Sequence, residues 1–292
     1  MLSEHPFTNH PDKLHAIRDE LETGSGAVML RGLSLDDFSE ADAEAFFLEF
    51  CEAIGTPVSQ SAKGERLFPV RDAGFADNDP RARGPNTAKK LSFHSDRCDV
   101  IAFLCWRQAK SGGENEVVSS IALRDRIAAV RPDLLAVLEQ PFPYKRHTID
   151  PDNPQPWIEQ PIFSECDGHF ACAFLRVLID RAHADPELPN LTGLQIEALD
   201  FLEETAADPT LHHHFRQEPG DILLLNNWTT LHRRTAFVDH EDPTEKRCLF
   251  RVWLSPPNSR PLDPAFAANF GSVEAGAVRG GIWPSDVAAK GD

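Results

Sequence analysis

The chain has 292 residues, 41% of them hydrophobic, and a formal net charge of −17. That length supports a sizeable core and fits one large β-rich domain, spanning 1–292, better than two ordinary ones, because barrels and sandwiches often run past about 200 residues. So acidic a surface repels nucleic-acid phosphate and anionic lipid, which excludes both as expected partners, and in itself it serves solubility.

The N-terminus, Met1 to Pro6, has no basic region followed by an apolar run, and no apolar stretch of about 18 residues occurs anywhere. Lys13–Leu21 places Leu14, Ile17 and Leu21 on one helical face, with Gly24 as a stop. Ala27–Leu30 reads as a short strand, and Ser39 can cap a helix through Ile54 that Gly55 ends. Residues 72–90 are rich in Gly, Pro, Asp and Arg and read as a long mobile loop, a candidate lid.

Leu91–His94 and Val100–Arg107 read as strands, Ser120 as the cap of a helix through Val130, and Pro132 as the first turn of another. Pro161–Glu165 and His169–Leu175 form a hairpin about Asp167-Gly168. Thr192 and Gln195 make a capping box for a helix through about Ala207. Ile222–Leu225, Thr229–His232 and Arg247–Leu254 are strand-like, and the tail from Ser255 is irregular. Many short strands with one helical layer predict a mainly β, jelly-roll-like double sheet with flanking helices. The six cysteines, at 51, 98, 105, 166, 172 and 248, form no CxxC pair and read as reduced cytoplasmic thiols.

The segment Leu91-Ser92-Phe93-His94-Ser95-Asp96 carries the first chemistry. On a strand alternate residues share a face, so His94 and Asp96 point into one cavity. An imidazole and a carboxylate so placed can take two adjacent corners of an octahedron. A third ligand from a distant strand completes a 2-His-1-carboxylate triad with three open positions, the arrangement of non-haem iron(II) oxygenases. His-x-Asp alone is a weak signal, since most such tripeptides are surface accidents. The stretch from Glu218 to His232 strengthens it: a Pro-Gly-Asp turn, an apolar strand, an Asn-Asn corner, then His232. Arg247 follows, with Arg251 four residues later on the same strand face. Two inward guanidinium groups are costly unless they meet anions, and Arg suits planar two-point binding of carboxylate. The bland alternative is a pair of edge-strand surface arginines.

From about Gly26 to Leu254 the sequence resembles the TauD/TfdA, or clavaminate synthase-like, branch of the iron/2-oxoglutarate dioxygenases. The resemblance is most specific at His94-x-Asp96, at Gly112-Gly113-Glu114-Asn115 and from Gly220 to Leu254. It implies a double-stranded β-helix (jelly roll, cupin-like) and an oxidoreductase with iron(II) on His94, Asp96 and His232. It further implies 2-oxoglutarate chelating the iron, O2 as the oxidant, and Arg247 on the far carboxylate of 2-oxoglutarate. Arg251 would lie by the cosubstrate or contact an anionic group of the substrate. One position departs: many relatives have Thr where Asn115 stands, and an amide N–H can donate to the same carboxylate. Halogenating relatives lack the carboxylate ligand; Asp96 is present, so hydroxylation or another hydrogen-abstraction outcome is expected.

Other features have plainer readings. His212-His213-His214 reads as a solvated edge, Cys98 as packing and Trp228 as core or support. Arg176 reads as surface charge with some reach toward the cavity mouth, and Arg71 as a helper in closing over substrate. The expected function is oxygenation, by hydroxylation, of a small polar molecule, an anionic one included, with release of succinate and CO2. Two alternatives stay open: a non-redox metal-dependent hydrolase on the same ligands, and an inactive small-molecule binding protein of the same fold. The expected partner is the small-molecule substrate, with oligomeric state left open, a homo-oligomer included.

Overall fold

The computed structural model describes residues 2–76, 79, 84–146, 149 and 154–282. The larger of two facing sheets holds, in spatial order, Ser3–Pro6, Ala27–Arg31, Ile222–Asn226, Val100–Arg107, Cys248–Ser255 and Thr56–Val58, and Leu67–Val70 also pairs with Cys248–Ser255. Its first pair is parallel and the others antiparallel. The smaller sheet holds His212–Phe215, Asn115–Ser119 and Thr230–Arg234, all antiparallel. The architecture is a double-stranded β-helix of the jelly-roll, cupin-like kind with helices outside.

Strand alternation sorts the side chains into layers. Val28, Leu30, Ala102, Leu104, Leu224, Phe250 and Val252 face outward from the large sheet and pack with Leu14, Ile17, Phe47 and Phe50 of the helices Pro11–Thr23 and Glu40–Ile54. Their sequence neighbours Met29, Ile101, Leu223, Leu225 and Trp253 face inward and meet Val117 of the small sheet. On that sheet's outer face Val118 and Leu231 pack with Leu123, Leu134, Ile179 and Leu199 from four helices. No helix among the described residues is long and apolar enough to cross a membrane.

Local chemistry sets the helix ends. Ser39 and Asp42, and Thr192 and Gln195, close reciprocal capping boxes. The expected cap Ser120 is instead the first helical residue; the cap is Ser119, whose extended backbone at the end of its strand frees its hydroxyl for Ala122 N–H at 3.3 Å. Asp167 and Gly168, at φ 49° and 77°, form the turn between Phe163–Cys166 and His169–Cys172.

The expected strand Leu91–His94 does not form. Leu91 N–H donates to Arg234 and His94 N–H to His232, so three steps on one side oppose two on the other. That one-residue slip breaks the ladder and leaves an isolated bridge at His94 and His232. In the expected lid, residues 77, 78 and 80–83 lie outside the described residues; Gly84–Asn86 forms a single 3-10 turn, and Gly84, Pro85 and Lys90 line the cavity below. The segment from Ser255 carries only short helical turns, at Pro264–Phe266 and Ala267–Phe270, and is packed as far as Ile282.

Candidate metal centre

His232 lies on Thr230–Arg234, where alternation sends Leu231 outward and His232 inward. His94 is held opposite by two backbone hydrogen bonds, His94 N–H to His232 O at 3.0 Å and His232 N–H to His94 O at 2.9 Å. The two rings lie 4.5 Å apart between centroids. Asp96 follows on a bend that Asn227 fixes, its side-chain Oδ1 accepting Asp96 N–H at 3.1 Å. His94, Asp96 and His232 each offer a donor atom, and these atoms lie within 4.8 Å of one another; among the described residues no other such cluster exists.

The donor set fits one ion. His232 Nε2 is 3.8 Å from Asp96 Oδ2, whereas adjacent donors on an octahedral ion with bonds of about 2.1 Å stand roughly 3 Å apart, so a small closure suffices. His94 Nδ1 is 2.9 Å from Ser92 O; donation there fixes the tautomer and leaves the Nε2 lone pair for a metal. Asp96 Oδ2 is buried with no hydrogen-bond partner, the condition a bound cation would relieve.

Electrostatics favour the ligating forms. Burial, helped by His94 and Arg251 and opposed by Asp96, pulls the His232 pKa down to about 3, so the ring is neutral at pH 7. Burial pushes Asp96 up, but Arg251, His94 and His232 together outweigh it and hold the carboxyl below its ordinary value.

Arg247 and Arg251 both face a cavity of about 540 Å³ that the triad also lines, a size suited to a small ligand. Arg247 is 1% exposed, and its Nε and Nη1 have no hydrogen-bond partner. Burial pulls its pKa down to about 10, but the guanidinium stays charged at neutral pH. Arg251 donates from Nε to Gln60 Oε1 at 2.7 Å and brings Nη1 to 3.6 Å from Asp96 Oδ2. Asn115 lines the same cavity, and its amide donates to Gln217 Oε1 at 3.1 Å.

Two residues that support the site escaped the sequence reading, Gln60 and Arg234, and Asn227 enters it only as part of the Asn-Asn corner before His232. Strand alternation marks Arg234, two residues beyond His232, for the inner face, but its neighbour Arg233 makes the pair read as surface charge. Gln60 acts through a partner distant in sequence and leaves no local signal, and the Asn-Asn corner does not show that Asn227 reaches Asp96.

The remaining candidates fall elsewhere. Arg176 lines the cavity, but Asp180, Asp200 and Glu203 stand 2.8, 2.9 and 3.3 Å from its guanidinium and compensate its charge. Arg71 lies 3.6 Å from Glu40, off the cavity wall. His212 and His214 both approach Glu116, which also pairs with Arg233. Trp228 is 1% exposed, donates Nε1–H to Asp99 and packs on Phe266 and Phe270. Cys98 is buried, with Asn227 Nδ2 3.0 Å from its sulfur.

Comparison with known proteins gives the family and the fold. Residues 4–253 match the family described as "Taurine catabolism dioxygenase TauD, TfdA family". FR-33289 synthase of Streptomyces rubellomurinus is 32% identical over 268 residues, covering 89% of this chain and 77% of the relative. A taurine hydroxylase-like protein of Stachybotrys chartarum is 26% identical, covering 87% and 69%. In fold the chain is similar to asparagine oxygenase, solved with Fe(II), 3-hydroxyasparagine and succinate, at TM-score 0.65, 18% identity and coverage of 84% and 78%. It is also similar to the non-haem iron oxygenase OrfP, solved with Fe and α-ketoglutaric acid, at TM-score 0.59, 16% identity and coverage of 84% and 79%. The chain belongs to the TauD/TfdA family of iron(II)- and 2-oxoglutarate-dependent dioxygenases.

Proposed function

We propose that this dioxygenase hydroxylates a small polar molecule carrying an anionic group. His94, Asp96 and His232 hold the iron, Arg247 receives the distal carboxylate of 2-oxoglutarate, and Arg251 receives the anion of the substrate. Iron(II) in such a triad supplies dioxygen activation coupled to decarboxylation of 2-oxoglutarate to succinate.

The observation that carries the substrate class is the setting of Arg251. It is 9% exposed, and among the described residues Asp96 is the only carboxylate within 4.0 Å of it. A cation bound at Asp96 takes up that carboxylate's charge, which leaves the guanidinium seeking another anion beside the reacting centre. The family's namesake substrate, taurine, carries a sulfonate, which supports the same class. His232 is neutral and Asp96 ionised at neutral pH, so both are in ligating form, and the inward Phe103 and Trp253 limit water beside them.

The test is succinate formation with iron(II), 2-oxoglutarate and a panel of small carboxylates, sulfonates, phosphonates, neutral polar compounds and amines. Anionic members should stimulate turnover, and Asp96→Ala should abolish that stimulation and weaken iron binding in direct titration. Stimulation by neutral or cationic members alone defeats the substrate class. An Asp96→Ala protein that binds iron as the parent does defeats the ligand assignment.

A further inference from the structure

Arg234 lies on the same strand face as His232 and is 5% exposed. Its guanidinium stands 4.6 Å from the centre of the Phe237 ring, and that of Arg247 stands 5.1 Å from the same ring. Both arginines line the metal cavity. Among the described residues neither guanidinium has a carboxylate within 4.0 Å; Asp239 Oδ1 accepts the Arg247 backbone N–H at 2.8 Å, and Asp239 on both guanidinium groups and Asp72 on that of Arg234 act only at longer range.

The partners that Arg234 does have orient it without neutralising it. Its Nε donates to Thr235 O at 3.2 Å, and its Nη2 donates to Thr87 O at 2.9 Å and Lys89 O at 2.5 Å. Carbonyl oxygens carry no net charge, so the guanidinium keeps its own, and Nη1 has no hydrogen-bond partner among the described residues. Arg247 likewise presents unpartnered Nε and Nη1.

We infer that Arg234 and Arg247 together form the receptor for the distal carboxylate of 2-oxoglutarate. This rests on the reading of Arg247 given above and adds Arg234 to it. One carboxylate offers about four lone-pair sites, enough for two guanidinium groups, and a single anion relieves the repulsion of both. The placement suits the length of the cosubstrate. Two residues along a strand span about 6.6 Å, so Arg234 stands about that far along the strand from the ligand His232.

The experiment titrates two 2-oxoacids into the protein loaded with Mn(II), read by calorimetry. One is 2-oxoglutarate; the other is 2-oxopentanoate, which has a methyl group in place of the distal carboxylate. Arg234→Gln should weaken 2-oxoglutarate about tenfold or more, the usual scale for a lost charged hydrogen bond, and leave 2-oxopentanoate unchanged. Arg247→Gln should do the same, and Arg234→Lys should keep part of the preference. A role confined to folding would weaken both ligands alike in Arg234→Gln, and that result overturns the inference. So does a wild-type ratio of the two affinities in Arg234→Gln when Arg247→Gln lowers it. A wild-type ratio in Arg247→Gln overturns the underlying assignment of Arg247.

Discussion

The Gln60 side chain meets Arg251 twice: Oε1 accepts from Nε at 2.7 Å, and Nε2 donates to the Arg251 carbonyl at 2.8 Å and to Arg66 O at 2.9 Å. With both ends committed, the amide cannot turn, and a neutral amide fixes the guanidinium plane without cancelling its charge. The rings of Phe68 and Trp253, at 5.4 and 5.0 Å, confine it further. The consequence is measurable in Arg251→Ala. Succinate formed without substrate should stay within about twofold of the parent, while substrate-stimulated turnover falls about tenfold or more, the scale of one lost charged hydrogen bond. Equal loss of both activities would place Arg251 on 2-oxoglutarate and remove the argument for an anionic substrate.

At the scale of elements, the approach of the Gly112-Gly113 turn to Arg247 shows how backbone conformation sets the cavity wall. Gly113 has φ 75°, and a Cβ there would lie 3.1 Å from Arg247 Nε and 3.3 Å from Gln108 Oε1. Gly113→Ala should destabilise the protein by about 1–2 kcal/mol through left-handed backbone strain and should weaken 2-oxoglutarate binding by displacing Arg247. Gly193→Ala is the control: that glycine opens a helix with nothing within 4 Å of its Cβ position, so its effect should be neutral or stabilising by up to about 1 kcal/mol. Denaturant midpoints and 2-oxoglutarate titrations read both; if Gly113→Ala is as silent as the control, the close approach carries no constraint. What the sequence revealed follows the same division between local and distant causes. The cap at Ser39 and the capping box at Thr192 are legible because each closes within four residues. His232 is legible because strand alternation turns residue type into direction; His94 and Asp96 come beside it by the His94–His232 bridge and the Asn227 hydrogen bond to Asp96, and not by the strand expected for them. The Leu91–His94 segment is not legible, since its ladder depends on register against His232 and Arg234. Gln60 is not either, because its partner lies 191 residues away.

Across the whole molecule, the acidic chain turns cations inward around its candidate metal site, and the segment after the last strand returns to brace that site. Arg279 and Asp99 form an ion pair at 2.7 Å with side chains 0% and 2% exposed. Asp99 also accepts Trp228 Nε1–H at 2.7 Å and the Ser255 hydroxyl at 2.6 Å, and its carbonyl accepts Asn227 N–H at 2.9 Å. Asn227 in turn holds Asp96 N–H, so a chain of hydrogen bonds runs from Arg279, in the segment after the last strand, to the proposed metal ligand Asp96. Arg279 completes the brace by donating to Arg260 O at 2.7 Å and Glu274 O at 3.2 Å. Removing one member of such a buried pair leaves an uncompensated charge, at a cost of about 3–5 kcal/mol. Arg279→Met should therefore lower stability on that scale and weaken metal binding through the Asp99–Asn227–Asp96 path. Adding Asp99→Asn removes the stranded charge, so the double variant should recover a substantial part of the stability lost in Arg279→Met. Chemical denaturation gives the stabilities, and Mn(II) titration of the folded variants gives the affinities. A cost below about 1 kcal/mol for Arg279→Met would mean that the pair does not anchor the segment. An undiminished Mn(II) affinity in the folded single variant would cut the link from Arg279 to Asp96.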